Sequence, residues 1–322
     1  MRVVSASRRT DVPAFYTRWL LRRLRAGYCH VANPFSGDVY RVGLAPDEVA
    51  SLALFTRDPR PILTHLPSLL AEGYRVYAHV TLNGYPRLLE PRAPWLPRAV
   101  AAVTRLADVL GPENVVWRYD PIVLTPETPP AWHLARFAGI AESLAGATGE
   151  CAISFVDRYR KTERNLGALG VEPSWDDAPA QLALAAELRG IAEERGIRVR
   201  ACCEEGLAEA GVRAAACVDR ERVARMRPDL DVRMRLAPTR AACGCAESTD
   251  IGAYGTCGFG CAYCYATPTP DVGLRRLREH DPDDTMLWRP PELRGVDLDA
   301  VAVPAREADI RPRGEGRQAP LF

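Results

Sequence analysis

Thr256-Cys257-Gly258-Phe259-Gly260-Cys261-Ala262-Tyr263-Cys264-Tyr265 places three cysteines at C-x3-C-x2-C spacing, with an aromatic residue directly before the third. Three thiolates on a short, glycine-permitted loop can hold three irons of a cubane [4Fe–4S] cluster. The fourth iron then lacks a protein ligand, and that open corner can chelate a small molecule and pass it one electron. Two plainer readings stand beside this one. Structural zinc wants a fourth ligand and favours paired C-x2-C knuckles, and a disulfide set suits a small secreted chain.

The loop resembles the C-x3-C-x-Φ-C signature of radical S-adenosylmethionine enzymes, with Tyr263 in the aromatic slot. In that superfamily the open iron binds the amino and carboxylate groups of S-adenosylmethionine, whose reductive cleavage yields a 5′-deoxyadenosyl radical. The superfamily loop follows the first barrel strand, whereas this one lies near the C-terminus. Working outward, Cys243-Gly244-Cys245, Ser248, Asp250-Ile251-Gly252, Tyr254 and Tyr265-Ala266 resemble the domain of unknown function 1848 family. The Ser-Arg-Arg-Thr-Asp-Val-Pro-Ala start, Ser7 to Ala14, resembles the same family. The resemblance spans nearly the whole chain and names no substrate.

The 322 residues suffice for one large α/β domain or two small ones, and 47% hydrophobic residues can bury a sizeable core. A net charge of +1 argues against an overall polyelectrolyte binder. Ten cysteines is a high count for a chain that opens on strand-like Met1-Arg2-Val3-Val4-Ser5 with no secretory pattern. No apolar run approaches the roughly 20 residues of a membrane span. A reducing cytoplasm fits metal-binding thiolates.

Read in order, Val3 to Ser7 is a short buried strand. A helix starting at the Thr10-Asp11-Val12-Pro13 cap and ending at Gly27 follows it. Ser7, Arg8, Arg9 and Asp11 sit in the connecting loop, where strand-then-helix units gather ligands. They are candidate cofactor contacts, with capping and an Arg–Asp pair as the alternative. A hairpin over residues 31–42 precedes a strand at Ser51–Thr56, a helix near Ile62–Ala71 and a strand at Tyr74–Leu82 that carries His79. The helix Leu96–Leu110 leads to a strand at Val115–Tyr119. That strand ends in Arg118 and Asp120, candidate catalytic or cofactor-binding residues whose alternative is an internal ion pair. Helices at Trp132–Leu144 and Gln181–Arg195 alternate with strands at Cys151–Val156, Ile197–Cys202 and Thr249–Tyr254. Cys151 reads as a small core residue.

Such alternation predicts a parallel sheet with crossover helices. The resemblance sharpens it to a partial or closed parallel β/α barrel, circularly permuted, with the first strand beside the last. The barrel domain is expected over residues 1–281, with the cysteine loop at 243–266 inside it. The Pro- and charge-rich stretch 282–322 reads as a peripheral or disordered tail.

Cys203 (or Cys202), Cys217, Cys243 and Cys245 are four further cysteines at loop positions. Four thiolates suffice for a second [4Fe–4S] cluster or a zinc site. The metal ligands expected are thus Cys257, Cys261 and Cys264 in one group and these four in another. The resemblance implies S-adenosylmethionine as cofactor and a flavodoxin- or ferredoxin-type electron donor. The tail Gln318-Ala319-Pro320-Leu321-Phe322 resembles the peptide by which bacterial replication and repair proteins dock on the sliding clamp. With the barrel's likeness to radical enzymes that reverse DNA photolesions, it points to nucleic-acid repair or modification. The rival classes are a non-catalytic iron–sulfur electron carrier or sensor and a zinc-stapled nucleic-acid-binding protein.

Overall fold

Short apolar strands separated by amphipathic helices pair in parallel, because each crossover returns the chain to the same end of the sheet. The computed structural model describes residues 1–175, 177–240 and 242–313. It contains eight such strands in one sheet: β1 (Arg2–Ala6), β2 (Val49–Thr56), β3 (Val76–Thr81), β4 (Val115–Ile122), β5 (Glu150–Phe155), β6 (Arg198–Ala201), β7 (Arg213–Ala214) and β8 (Thr249–Asp250). Their order in space is β8-β1-β2-β3-β4-β5-β6-β7, and every neighbouring pair is parallel. The expected adjacency of first and last strands holds, with Val4 opposite Thr249 and Ser5 opposite Asp250.

Alternation along the strands separates two faces. One carries Leu52, Leu54, Val80, Trp117 and Ile153 and is covered by helices Thr17–Ala26, Leu96–Leu110, Pro130–Leu144 and Ala178–Glu193. The Leu96–Leu110 helix buries Ala102, Val103, Leu106 and Leu110 against it, each leucine contributing about 1.5–3 kcal/mol. Trp117 stacks on Phe137 with ring centroids 4.5 Å apart. The opposite positions carry Ser5, Ser51, Ala53, His79, Arg118, Ala152 and Ser154. The same face carries Val3, Tyr77 and Val116, which pack with Cys202, Cys217 and Cys245 in a second apolar cluster.

The sheet edges β7 and β8 do not pair with each other among the described residues. Loop contacts span them instead. Ala246 N donates to Val218 O at 2.9 Å, and Cys217 N donates to Cys245 Sγ at 3.2 Å. The observed architecture is therefore an eight-stranded parallel α/β sheet, with no ladder closing it among the described residues. No helix among the described residues is long and apolar enough to cross a membrane.

Several elements depart from expectation for local reasons. The first helix divides into Val12–Phe15 and Thr17–Ala26 at Tyr16, whose hydroxyl donates to Thr256 O at 2.5 Å. Pro67 opens a new helix, Leu66–Ala71, after Arg60–Leu63. β4 runs on to Ile122, with a register shift after Tyr119 where Pro121 lacks a ladder donor. β8 stops at Asp250, because its side chain accepts from Gly252 N at 3.0 Å and turns the chain. The stretch after Pro282 is tied down as far as Arg313. Val303–Pro304 pairs with Tyr40 and Arg41, Ile310–Pro312 pairs with Leu230–Val232, and Met286 and Leu298 are buried. Residues 282–313 thus carry regular structure and buried side chains of their own. Gln318–Phe322 lie outside the described residues.

Candidate metal centre

The cysteine loop leaves the carboxyl end of β8, the end at which parallel α/β sheets collect ligands. Ile251 N bonds Ser5 O at 3.0 Å, and Gly255 N bonds Ala266 O at 2.9 Å to close the base of the loop. Inside it, Cys264 N donates to Cys261 O at 3.1 Å and Thr267 N to Cys264 Sγ at 3.3 Å. Gly260 takes φ +70°, a region L side chains avoid. Gly273, on helix Pro270–Arg278, lets that helix approach so closely that a Cβ there would overlap the Cys257 carbonyl oxygen. Phe259 packs on Phe15 with ring centroids 4.7 Å apart, and Ala262 N reaches Leu89 O at 2.9 Å. Cys257, Cys261 and Cys264 are all free thiols, each partly exposed. Burial pushes the Cys257 thiol well up and the Cys261 thiol up to about 12, with Arg57 opposing the latter.

Tyr263 is a buried brace for this loop. Its hydroxyl meets Arg57 and Glu90, and Asn83 Nδ2 lies 3.2 Å away. Arg57 Nη1 bonds Glu90 Oε1 at 2.7 Å. Burial works against the Arg57 charge, but Cys261, Glu90 and Tyr263 outweigh it and hold its pKa well above the ordinary value. Asp11 caps Val12–Phe15 by accepting from Ala14 N at 2.9 Å and takes a second bond from Arg57 N at 2.6 Å. Burial raises its pKa to about 7 against those bonds.

Ser7, Arg8 and Arg9 converge on Asp250. Ser7 Oγ and Arg8 N donate to its carboxylate at 2.5 Å and 2.8 Å, while Arg8 Nε and Arg9 Nε stand 3.9 Å away. Tyr265 OH donates to Arg8 O at 2.6 Å, which brings the end of the cysteine loop against the β1 loop.

Arg118 and Asp120 do not join this loop. They form an ion pair on the face of the sheet that carries His79, Asp120 also accepts from Ser154 Oγ, and Arg118 Nη1 donates to Cys217 Sγ at 3.0 Å. The second cysteine group is assembled there. Cys202 Sγ lies 3.8 Å from Cys217 Sγ and 4.0 Å from Cys203 Sγ. Cys245 accepts from Cys217 N, and Cys243 is held by Thr239 at 3.6 Å. His79 Nε2 and Tyr77 OH both reach Cys217 O, at 2.9 Å and 3.3 Å. Bonds from Cys202 and Cys245, together with the Arg118 charge, hold the Cys217 thiol well below its ordinary pKa despite burial. Cys151 is a buried core residue as expected.

Cys202 thus belongs with the cysteines anticipated at Cys203, Cys217, Cys243 and Cys245. Asp250, Arg57, Asn83 and Glu90 were not singled out from sequence as site residues. Arg57 and Asn83 follow the ends of β2 and β3, so the strand-end rule already applied to Ser7–Asp11 would have found them. Glu90 carries no local signal. Among the described residues, no three His, Cys, Asp or Glu side chains converge closely enough to hold a single metal ion.

No curated protein matches the chain. A family match covers residues 3–266, from the beginning of β1 to just past the cysteine loop, and so takes in both the sheet and the site. The chain belongs to the family described as Domain of unknown function (DUF1848).

Proposed function

We propose that this chain is a radical S-adenosylmethionine enzyme whose Cys257, Cys261 and Cys264 hold a [4Fe–4S] cluster. The observation that carries the reading is the set of three free thiols on one braced loop at the carboxyl end of β8. Such a donor set fits a cluster with one open corner. When bound and reduced, that group supplies the electron that cleaves S-adenosylmethionine to a 5′-deoxyadenosyl radical.

The chain's own residues hold, orient and shield. Tyr16, Phe15, Leu89 and Gly273 fix the loop from separate elements. Arg57 sets a buried positive charge beside Cys261 and opposes the rise that burial gives its thiol. Arg8 and Arg9 meet Asp250 only at 3.9 Å and are partly exposed, so their guanidinium forks keep donors for a carboxylate. The permuted-barrel reading rests on β8 lying beside β1, which puts the cysteine loop next to the strand that opens the sheet.

Electron paramagnetic resonance of the reduced protein, with and without S-adenosylmethionine, tests this reading. The spectrum is expected to change on adding the cofactor, and Cys257→Ala, which loses this cluster's signal, is expected to show no cofactor-dependent change. An iron-loaded wild type whose signal ignores the cofactor would instead be an electron carrier or sensor.

A further inference from the structure

We propose that Cys202, Cys217, Cys243 and Cys245 bind a second iron–sulfur cluster on the face of the sheet that carries His79, with Arg118 donating a charged hydrogen bond to the Cys217 sulfur. This site stands independently of the cysteine loop and of any reaction with S-adenosylmethionine.

The thiols come from three separate chain segments. Cys202 directly follows β6, Cys217 follows β7, and Cys243 and Cys245 precede β8. These segments meet where the two sheet edges fail to pair, so the fold gathers sulfur at the place it leaves open. All the sulfurs are free. The two non-glycine residues with positive φ among the described residues are Cys203, at 61°, and Ala242, at 58°. One follows Cys202 and the other precedes Cys243. Backbone held in this region persists where its surroundings over-determine it, and such positions cluster at ligand sites.

Electrostatics point the same way. Arg118 Nη1 lies 3.0 Å from Cys217 Sγ. A guanidinium at this distance gives the sulfur a charge-assisted hydrogen bond. Hydrogen bonds to cluster sulfurs are among the means by which a protein sets a cluster's potential.

Spacing separates a cluster from a single ion. Zinc–thiolate bonds of about 2.3 Å place tetrahedral ligands about 3.8 Å apart. Cys202 and Cys217 have that separation, at 3.8 Å. No third ligand closes around the same point among the described residues. Cys217 N donates to Cys245 Sγ at 3.2 Å, and Cys243 stands two residues before Cys245 in the chain. A [2Fe–2S] cluster takes four cysteines, two at each iron, and a pair at the Cys202–Cys217 separation is what one such iron requires. Cys203, whose recorded sulfur neighbour is the adjacent Cys202, is the spare thiol.

The full chain, loaded anaerobically with iron and sulfide, decides the matter by iron, sulfide and zinc content. Wild type is expected to hold about six irons, and the Cys257→Ala/Cys261→Ala/Cys264→Ala triple variant about two. Cys217→Ser/Cys245→Ser should fall to about four irons and keep the loop cluster's signal, while Cys203→Ala should keep about six. About four irons in wild type and none in the triple variant would overturn the second cluster and leave the loop cluster standing. One zinc per chain in the triple variant, or a Cys202–Cys217 disulfide in protein isolated without air, would overturn it too. Iron retained by the triple variant supports the site whatever the cofactor assay gives. Should Cys217→Ser/Cys245→Ser fail to fold, the wild-type and triple-variant counts carry the decision alone.

Discussion

Ser7 Oγ donates to Asp250 Oδ1 at 2.5 Å, joining the residue after the first sheet strand to the final residue of the last. Asp250 also accepts from Ser5 Oγ at 3.2 Å, from Arg8 N and from its own turn at Gly252 N. Asp250→Ala would leave two buried hydroxyls and the Arg8 and Arg9 charges without their partner. We expect a loss of about 3 kcal/mol in urea denaturation of the metal-free chain. A loss below about 0.5 kcal/mol, the range of ordinary surface changes, would mean that β8 is not fastened through this carboxylate.

Glu90 is the buried counter-charge of Arg57. Glu90→Ala should cost about 3–5 kcal/mol, because it strands a guanidinium in the interior. Glu90→Gln, which keeps an acceptor for Arg57 and Tyr263, should cost less. Equal losses in the two variants would show that packing rather than charge makes Glu90 necessary.

Gly273 sets how closely helix Pro270–Arg278 approaches Cys257. Gly273→Ala forces the Cys257 carbonyl aside, with an overpacking cost of about 1–3 kcal/mol and reduced iron loading of the loop. Gly190, inside helix Ala178–Glu193, has open space where a Cβ would go. Gly190→Ala should therefore stabilise by up to about 1 kcal/mol. Loading unchanged in Gly273→Ala would show that the loop tolerates the shift.

His133 is buried between Tyr119 OH at 2.7 Å and Val123 O at 3.2 Å, and burial lowers its pKa from 6.5 to about 4. Between those values the unfolded chain binds more protons than the folded one. Stability is thus full above about pH 6.5 and is lost as pH falls toward 4, by about 3 kcal/mol. Burial lowers His79 in the same sense, to about 3. His133→Phe should be less stable at pH 7, since Tyr119 loses its acceptor, and should show a shallower acid slope, with His79 supplying the remainder. An unchanged slope would assign the acid sensitivity elsewhere.

The strand–helix alternation was readable because each strand is a short apolar run between helices of clear period. Leu96–Leu110 has the bounds expected, with Pro97 in its first turn and Gly111 ending it. Arg213–Ala214 is only two residues long and exposed, and helix Arg160–Gly167 buries just Thr162 and Leu166, so neither leaves a periodic trace. The cysteine loop is local in sequence and was legible as a unit. The second cysteine group was legible only as a count, because Cys202, Cys217 and Cys245 meet through the topology of the sheet. Arg118 was visible as a charge at a strand end, but its partner sulfur lies 99 residues away. Glu90 was hidden for the same reason, since Tyr263 and Arg57 reach it from distant segments.

The central claim is tested most directly by product analysis. Protein with a full loop cluster, reduced by dithionite without oxygen and supplied with S-adenosylmethionine, is expected to form 5′-deoxyadenosine, and Cys261→Ala is expected to form none. A fully loaded, reduced wild type that yields no 5′-deoxyadenosine would contradict the account.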